Sequence, residues 1–295
     1  MWRRNKAFLL VLPAWTVITI LFFGGLVDGL IQSMGYFPAA GQSHFSLFAY
    51  KELLRSDEFW SSLLLTLRVA FLSTISAGIL GVFVAVCLFM LGKPVHSVWK
   101  NVWQRTFGLP LIVPHLVGAY LMVLLFMQSG WLSRMAFHLG WIKEVNDFPI
   151  WINDPFGWGI IFSYAWKEAP FIALMLYPVL LRTHRSWFEV AQVFGANIWS
   201  FIREIVIPLL LPAWLSSSFI VFSFTFSAFE VPFLLGVTYP KMLPVLSYEL
   251  YTSGEIAQRP EALTVNVLLA LIAAGLGLLA YRLSRRWLIA EGRGW

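Results

Sequence analysis

EVAQVFGANIWSFIREIVIP, Glu189 to Pro208, is a polar island between two apolar runs, residues 157–181 and 209–235. It holds Glu189, Gln192, Asn197, Arg203 and Glu204 in a chain of 295 residues that is 59% hydrophobic and only 12% charged. Those proportions, with a mean hydropathy of +0.75, exceed what a soluble domain carries and mark a membrane protein. What the island does depends on which side of the membrane it occupies.

A helix needs about 20 mostly apolar residues to cross a bilayer. Runs of that kind occupy residues 8–27, 61–91, 109–127, 157–181, 209–235 and 263–281. Six spans place both termini on one side. Lys and Arg concentrate in cytoplasmic segments, and here Arg3, Arg4 and Lys6 precede the first span. Lys93, Lys100 and Arg105 separate the second from the third, Arg182, Arg185 and Arg203 the fourth from the fifth, and Arg282, Arg285, Arg286 and Arg293 follow the sixth. The alternate loops carry most of the acids, among them Glu52, Asp57, Glu58, Asp147, Glu249 and Glu261. Both termini and the polar island are therefore expected in the cytoplasm. The net charge of +6 is spread over short flanks of apolar spans rather than one basic face, so it reports topology and not a nucleic-acid partner.

The first run is too long for a secretory signal core and ends without a small-x-small site, so it reads as a retained helix. Cys87 is a lone cysteine inside the second span and has no internal disulfide partner. Ser73, Ala77, Gly78, Gly81 and Ala85 form a stripe of small residues on that span, which suits close approach by another helix. Ser56 or Asp57 suits the cap at its start. Trp131, Trp141 and Trp151 fall in the loop 128–156 and suit the bilayer interface. Catalytic signatures are absent: Gly92-Lys93 lacks the glycine that a phosphate-cradling loop needs, since Cys87 stands there. His44, His96, His115, His138 and His184 have no spacing that would hold a metal. His115 reads as a packed or interfacial histidine.

Within the island, Val190, Val193, Phe194 and Ile198 form an apolar stripe at helical period, Glu189 lies near a helix start, and Gly195 suits a chain reversal. Glu189, Ala191, Gly195, Ile205 and Pro208 resemble the EAA loop of permease subunits of binding-protein-dependent ABC importers, in which Glu-Ala-Ala is followed by three residues, Gly, nine residues and Ile-x-Leu-Pro. The spacing is kept throughout; Val190 replaces the middle Ala and Ile207 the Leu. The resemblance implies two short helices that dock in a cleft of a separate ATPase, with the glycine at the turn and a role in coupling rather than catalysis. It implies an all-α membrane protein of six transmembrane helices with the type I ABC importer permease fold. The transmembrane core domain would span residues 60–285, after an N-terminal helix and external loop at 1–59 and before a cytoplasmic tail at 286–295.

Ionisable residues at membrane depth are candidates for function. Lys167 and Glu168 lie in WKEAPF, near the middle of the fourth span. Adjacent residues point about 100° apart on a helix, so each needs a partner elsewhere. The competing structural reading puts them at a subunit contact or a helix break before Pro170. Glu230 lies in FSAFEVPFLLG at the outer end of the fifth span, with Pro232 expected to break the helix. This stretch is similar to the spermidine/putrescine, iron and phosphonate group of importers. Arg68 is read as snorkelling outward.

The resemblance implies that the chain is a permease subunit, with Lys167, Glu168 and Glu230 as candidate pathway residues and Glu189, Val190, Ala191, Gly195, Ile205 and Pro208 as the ATPase-coupling set. The resemblance implies two ABC ATPase subunits that bind ATP and Mg, a second permease in a preferred heterodimer, and an external solute-binding protein. No cofactor, metal or catalytic residue is expected in this chain, and the location is the bacterial inner membrane. The acidic candidates favour a small cationic, polyamine-type solute. The alternative is an ion-coupled secondary transporter, which leaves the EAA spacing unexplained.

Overall fold

The computed structural model describes residues 2–38, 41–90, 108–182 and 185–291. Gly92, Lys93, His96, Lys100, Arg105, His184 and Arg293 lie outside the described residues. The described chain is helical, with one isolated bridge between Phe37 and Gln42. Among the described residues, six helices are long and apolar enough to cross a membrane: Leu10–Ser33, Asp57–Phe89, His115–His138, Trp158–Leu181, Ile198–Ser227 and Ile256–Arg282.

Two compact units divide the chain, Met1–Trp60 with Leu243–Leu271, and Ser61–Met242 with Ile272–Trp295. In the first, residues 10–28 are exposed on every side of the N-terminal helix. A helix that is apolar all round requires lipid or another protein around it. Its C-terminal end is tied down by polar contacts: the Ser33 hydroxyl lies 2.8 Å from that of Tyr50, and Thr264 Oγ1 donates to the Ser33 carbonyl at 3.2 Å. The external segment contains a helix at Phe48–Arg55 whose buried Ala49 and Leu53 explain its formation. Ser56 ends that helix and starts the next, its hydroxyl accepting from Phe59 N at 3.4 Å.

The second unit has two cores. Leu65, Val69, Ala119, Met122, Ile160, Ile161, Tyr164, Val231 and Leu235 form one. Ala77, Ala85, Ile172, Leu176, Leu180, Phe201, Val206 and Leu210 form the other. The small-residue stripe accounts for the close approach. A β-carbon on Gly81 would lie 2.8 Å from Ile172 Cβ and 3.0 Å from the Ala169 carbonyl, and one on Gly78 would lie 2.8 Å from Trp214 Nε1. The fourth and fifth spans therefore press on one face of the second.

Three spans differ from the sequence expectation. The third breaks at Val113-Pro114, between a helical piece at 108–112 and the helix His115–Phe126, and resumes as Trp131–His138. The fourth, Trp158–Arg182, continues through Pro170 and Pro178, so the expected break lies in its neighbour instead. The fifth starts at Ile198 and ends at Ser227. Glu230 therefore opens a separate short helix, Glu230–Leu235, in whose first turn Pro232 is tolerated rather than disruptive. Trp131 and Trp141 are exposed, whereas Trp151 stacks on Phe126 at 5.2 Å.

Gly81→Ala is expected to cost about 1–3 kcal/mol, since backbone must move to admit the methyl group. Gly24→Ala, with nothing within 4 Å, is expected to be neutral or stabilising. Thermal melting of the detergent-solubilised protein distinguishes the two.

Candidate functional site

The polar island folds as a helix, Arg185–Val193, a turn, and a second helix that continues directly as the fifth span. Gly195 sits at φ +82°, a conformation that costs glycine little. Its N–H donates to the Gln192 carbonyl at 2.9 Å, and Ala196 N–H to the Ala191 carbonyl at 3.0 Å. This pair of bonds is the Schellman arrangement, which satisfies the last carbonyls of the first helix. Asn197 caps the second helix, its Oδ1 accepting from Ser200 N at 2.8 Å.

The orientation of the first helix turns Val190, Val193 and Phe194 of the expected apolar stripe away from this chain's core. Phe188 and Ala191 pack against the second core with Ile205, and Phe188 meets Phe201 edge to face at 5.1 Å. Val190, Val193 and Phe194 point away, Val193 at 84% and Phe194 at 86% exposure, with Trp199 also exposed. Glu189, Gly195 and Pro208 are exposed as well. The loop has one apolar side against its own core and another with no cover among the described residues.

A π-helical turn, Ile202–Val206, precedes Pro208, and Ile207 N–H reaches back to the Ile202 carbonyl. Proline has no N–H to give to the carbonyl four residues earlier, and its ring crowds that carbonyl. The widened turn relieves this conflict without breaking the helix.

Lys167 and Glu168 each find a different partner at the broken third span. The Lys167 ammonium donates to the carbonyls of Pro110, at 2.8 Å, and Val113, at 2.5 Å. These carbonyls belong to the end of the 108–112 piece, which Pro114 prevents from continuing. The lysine stem runs beside Gly118, where a β-carbon would lie 3.5 Å from Lys167 Cδ, an ordinary van der Waals contact. Glu168 Oε1 lies 3.0 Å from His115 Nε2, across the break. The imidazole also packs on Phe224 of the fifth span, with centroids 4.7 Å apart. Lys167 is only 3% exposed, so its charge is spent on the protein's own carbonyls.

Glu230 stands apart from this cluster, exposed in the first turn of its helix, where a carboxylate suits the helix N-terminus. Arg68 does not simply snorkel: it donates to the Pro155 carbonyl at 3.0 Å and lies over Phe156 at 4.5 Å. His115, expected to be a packed or interfacial histidine, is the partner that Glu168 required, and the third span offers Tyr120 as a second titratable side chain.

Residues 77–289 match the family described as binding-protein-dependent transport system inner membrane component, and the chain belongs to that family. Its relatives include the inner membrane ABC transporter permease protein YnjC of Escherichia coli K12, 26% identical over 285 residues that cover 94% of this chain and 50% of YnjC. The chain thus spans half the length of that relative. The diacetylchitobiose uptake system permease protein DasB of Streptomyces coelicolor is 24% identical, covering 94% of this chain and 85% of DasB. The putrescine transport system permease protein PotI of E. coli K12 is 25% identical, covering 79% and 74%. In fold, the chain resembles a bacterial ABC transporter involved in import of the acidic polysaccharide alginate. The TM-score is 0.78 at 20% identity, over 97% of this chain and 98% of that one.

Lys167→Met is expected to leave the buried Pro110 carbonyl and the part-buried Val113 carbonyl without this donor, at a cost of about 1–3 kcal/mol. A lowered thermal midpoint, with faster proteolysis near the break, checks this; an unchanged midpoint removes the capping role.

Proposed function

We propose that this chain is the translocation subunit of an ATP-driven importer and that the loop Arg185–Phe201 couples it to a separate ATPase. The observation that carries this reading is the uncovered apolar side formed by Val190, Val193, Phe194 and Trp199, rigidly held by the Gly195 turn. An exposed apolar patch on a capped helix marks a docking surface. Glu189 at its edge supplies a charge for an arginine or lysine of the partner. Two such ATPases would hold ATP and Mg, with a second permease, in a heterodimer, completing the pathway. An external binding protein would deliver the solute. The Lys and Arg distribution places the loop and both termini in the cytoplasm of a bacterial inner-membrane protein.

Import then follows from a two-state switch. ATP binding draws the ATPases together, the loops move with them, and the pathway opens to the other side. An ion-coupled carrier is disfavoured by family membership and by Lys167, whose charge is already engaged. Because Lys167 is withdrawn and Glu230 is exposed, the pathway favours a small cationic or zwitterionic solute of the polyamine type over an anion. Calorimetry of the cognate binding protein against putrescine, a disaccharide and an anion tests the solute, and tight binding of the anion or of the disaccharide alone overturns this part.

Phe194→Asp and Gly195→Val are each expected to reduce ATP-driven uptake in proteoliposomes at least tenfold while the chain still inserts and the complex retains its permease partner. Undiminished uptake by both variants rejects the coupling assignment.

A further inference from the structure

The broken third span presents an arrangement that backbone capping alone does not explain. Pro114 is exposed at the break, yet non-helical backbone at membrane depth is tolerated only against protein or water. The next residue, His115, keeps its side chain 32% exposed while bonded to Glu168, which is 12% exposed. Phe224 adds an aromatic ring that is 40% exposed. The neighbouring Leu116 and Val117 are also exposed but apolar, as a lipid-facing surface requires. An open imidazole and carboxylate pair is costly toward hydrocarbon.

From this geometry we infer that His115 is a solute-contacting residue of the translocation pathway, positioned by Glu168 and backed by Phe224, and that it binds solutes through their hydrogen-bond donor groups. The inference rests on the importer reading above. An ionised Glu168 only accepts, so Nε2 of His115 donates to it, and in the neutral ring Nδ1 is left as an acceptor. The second carboxylate oxygen accepts too. Acceptors beside an aromatic face suit the hydroxyl groups and C–H faces of a sugar, or the ammonium groups of a polyamine. They do not suit an anion.

The single cysteine makes the pathway half of the inference directly testable. In a Cys87→Ala background, His115→Cys and Leu116→Cys would be compared in the assembled complex in membranes. The probe is the water-soluble, membrane-impermeant thiol reagent methanethiosulfonate ethyltrimethylammonium. His115→Cys is expected to react at least tenfold faster than Leu116→Cys; equal rates overturn the pathway placement. This readout requires no ATP-driven uptake, so it is separate from a failure of the coupling reading. For the donor half, uptake of putrescine, maltose and citrate would be measured. His115→Leu and Glu168→Leu are expected to raise KM for putrescine or maltose about tenfold, the value of one hydrogen bond, with kcat changed less. Glu168→Gln, whose amide oxygen still accepts from Nε2, is expected to restore KM. A complex that carries citrate alone, or an unchanged KM in both Leu variants, overturns the donor-binding role.

Discussion

A helix that stops inside a bilayer leaves its last carbonyls with no water to bond, and a protein that stops one there must provide a donor of its own. Pro114 imposes such a stop on the third span, and Lys167 supplies the donor from the fourth. The ammonium replaces the missing N–H groups, and Glu168 is left facing the opposite side of the break. One structural requirement thus fixes the spacing of the third and fourth spans and sets His115 at their junction with the fifth. The polar residues at this depth are interdependent: removing the lysine would disturb the backbone that aims the histidine.

The loop proposed for coupling depends on a different constraint, the division of one short helix between a side held by the chain's own core and a side left exposed. Phe188 and Ala191 commit one side to the chain's own core, and the Gly195 turn fixes the rotation of that helix through two carbonyl bonds. Val190 and Val193 then have a defined direction before any partner arrives. A preformed surface of this kind loses little conformational entropy on docking.

Much of this was legible in the sequence, and the limits have identifiable causes. Hydropathy located six spans, and the spacing from Glu189 to Pro208 located the loop. Periodicity showed that Val190, Val193 and Phe194 share a face, but a stripe does not say which protein covers it, and the core took the other side. Residues 198–206 were read as part of the polar island because Arg203 and Glu204 interrupt the hydropathy; both are exposed, and the helix runs through them. The third-span break was hidden for the opposite reason, since Pro110 and Pro114 sit in an otherwise apolar run. That Lys167 and Glu168 required outside partners followed from helix geometry. Which partners could not be read, because they lie 54 to 57 and 53 residues away in the chain.

The fifth span is one helix of 30 residues from Ile198 to Ser227, and its first turns belong to the loop. At about 1.5 Å per residue such a rod is roughly 45 Å long. A tilt of about five degrees at its loop end would carry its far end by roughly 4 Å, about the width of a methylene chain. The widened turn at Ile202–Val206 lies close to the loop end of this rod, with Pro212 two turns further along it. Under the coupling proposed above, displacement of the loop would be carried along the rod, and Phe224 lies on its distant arm.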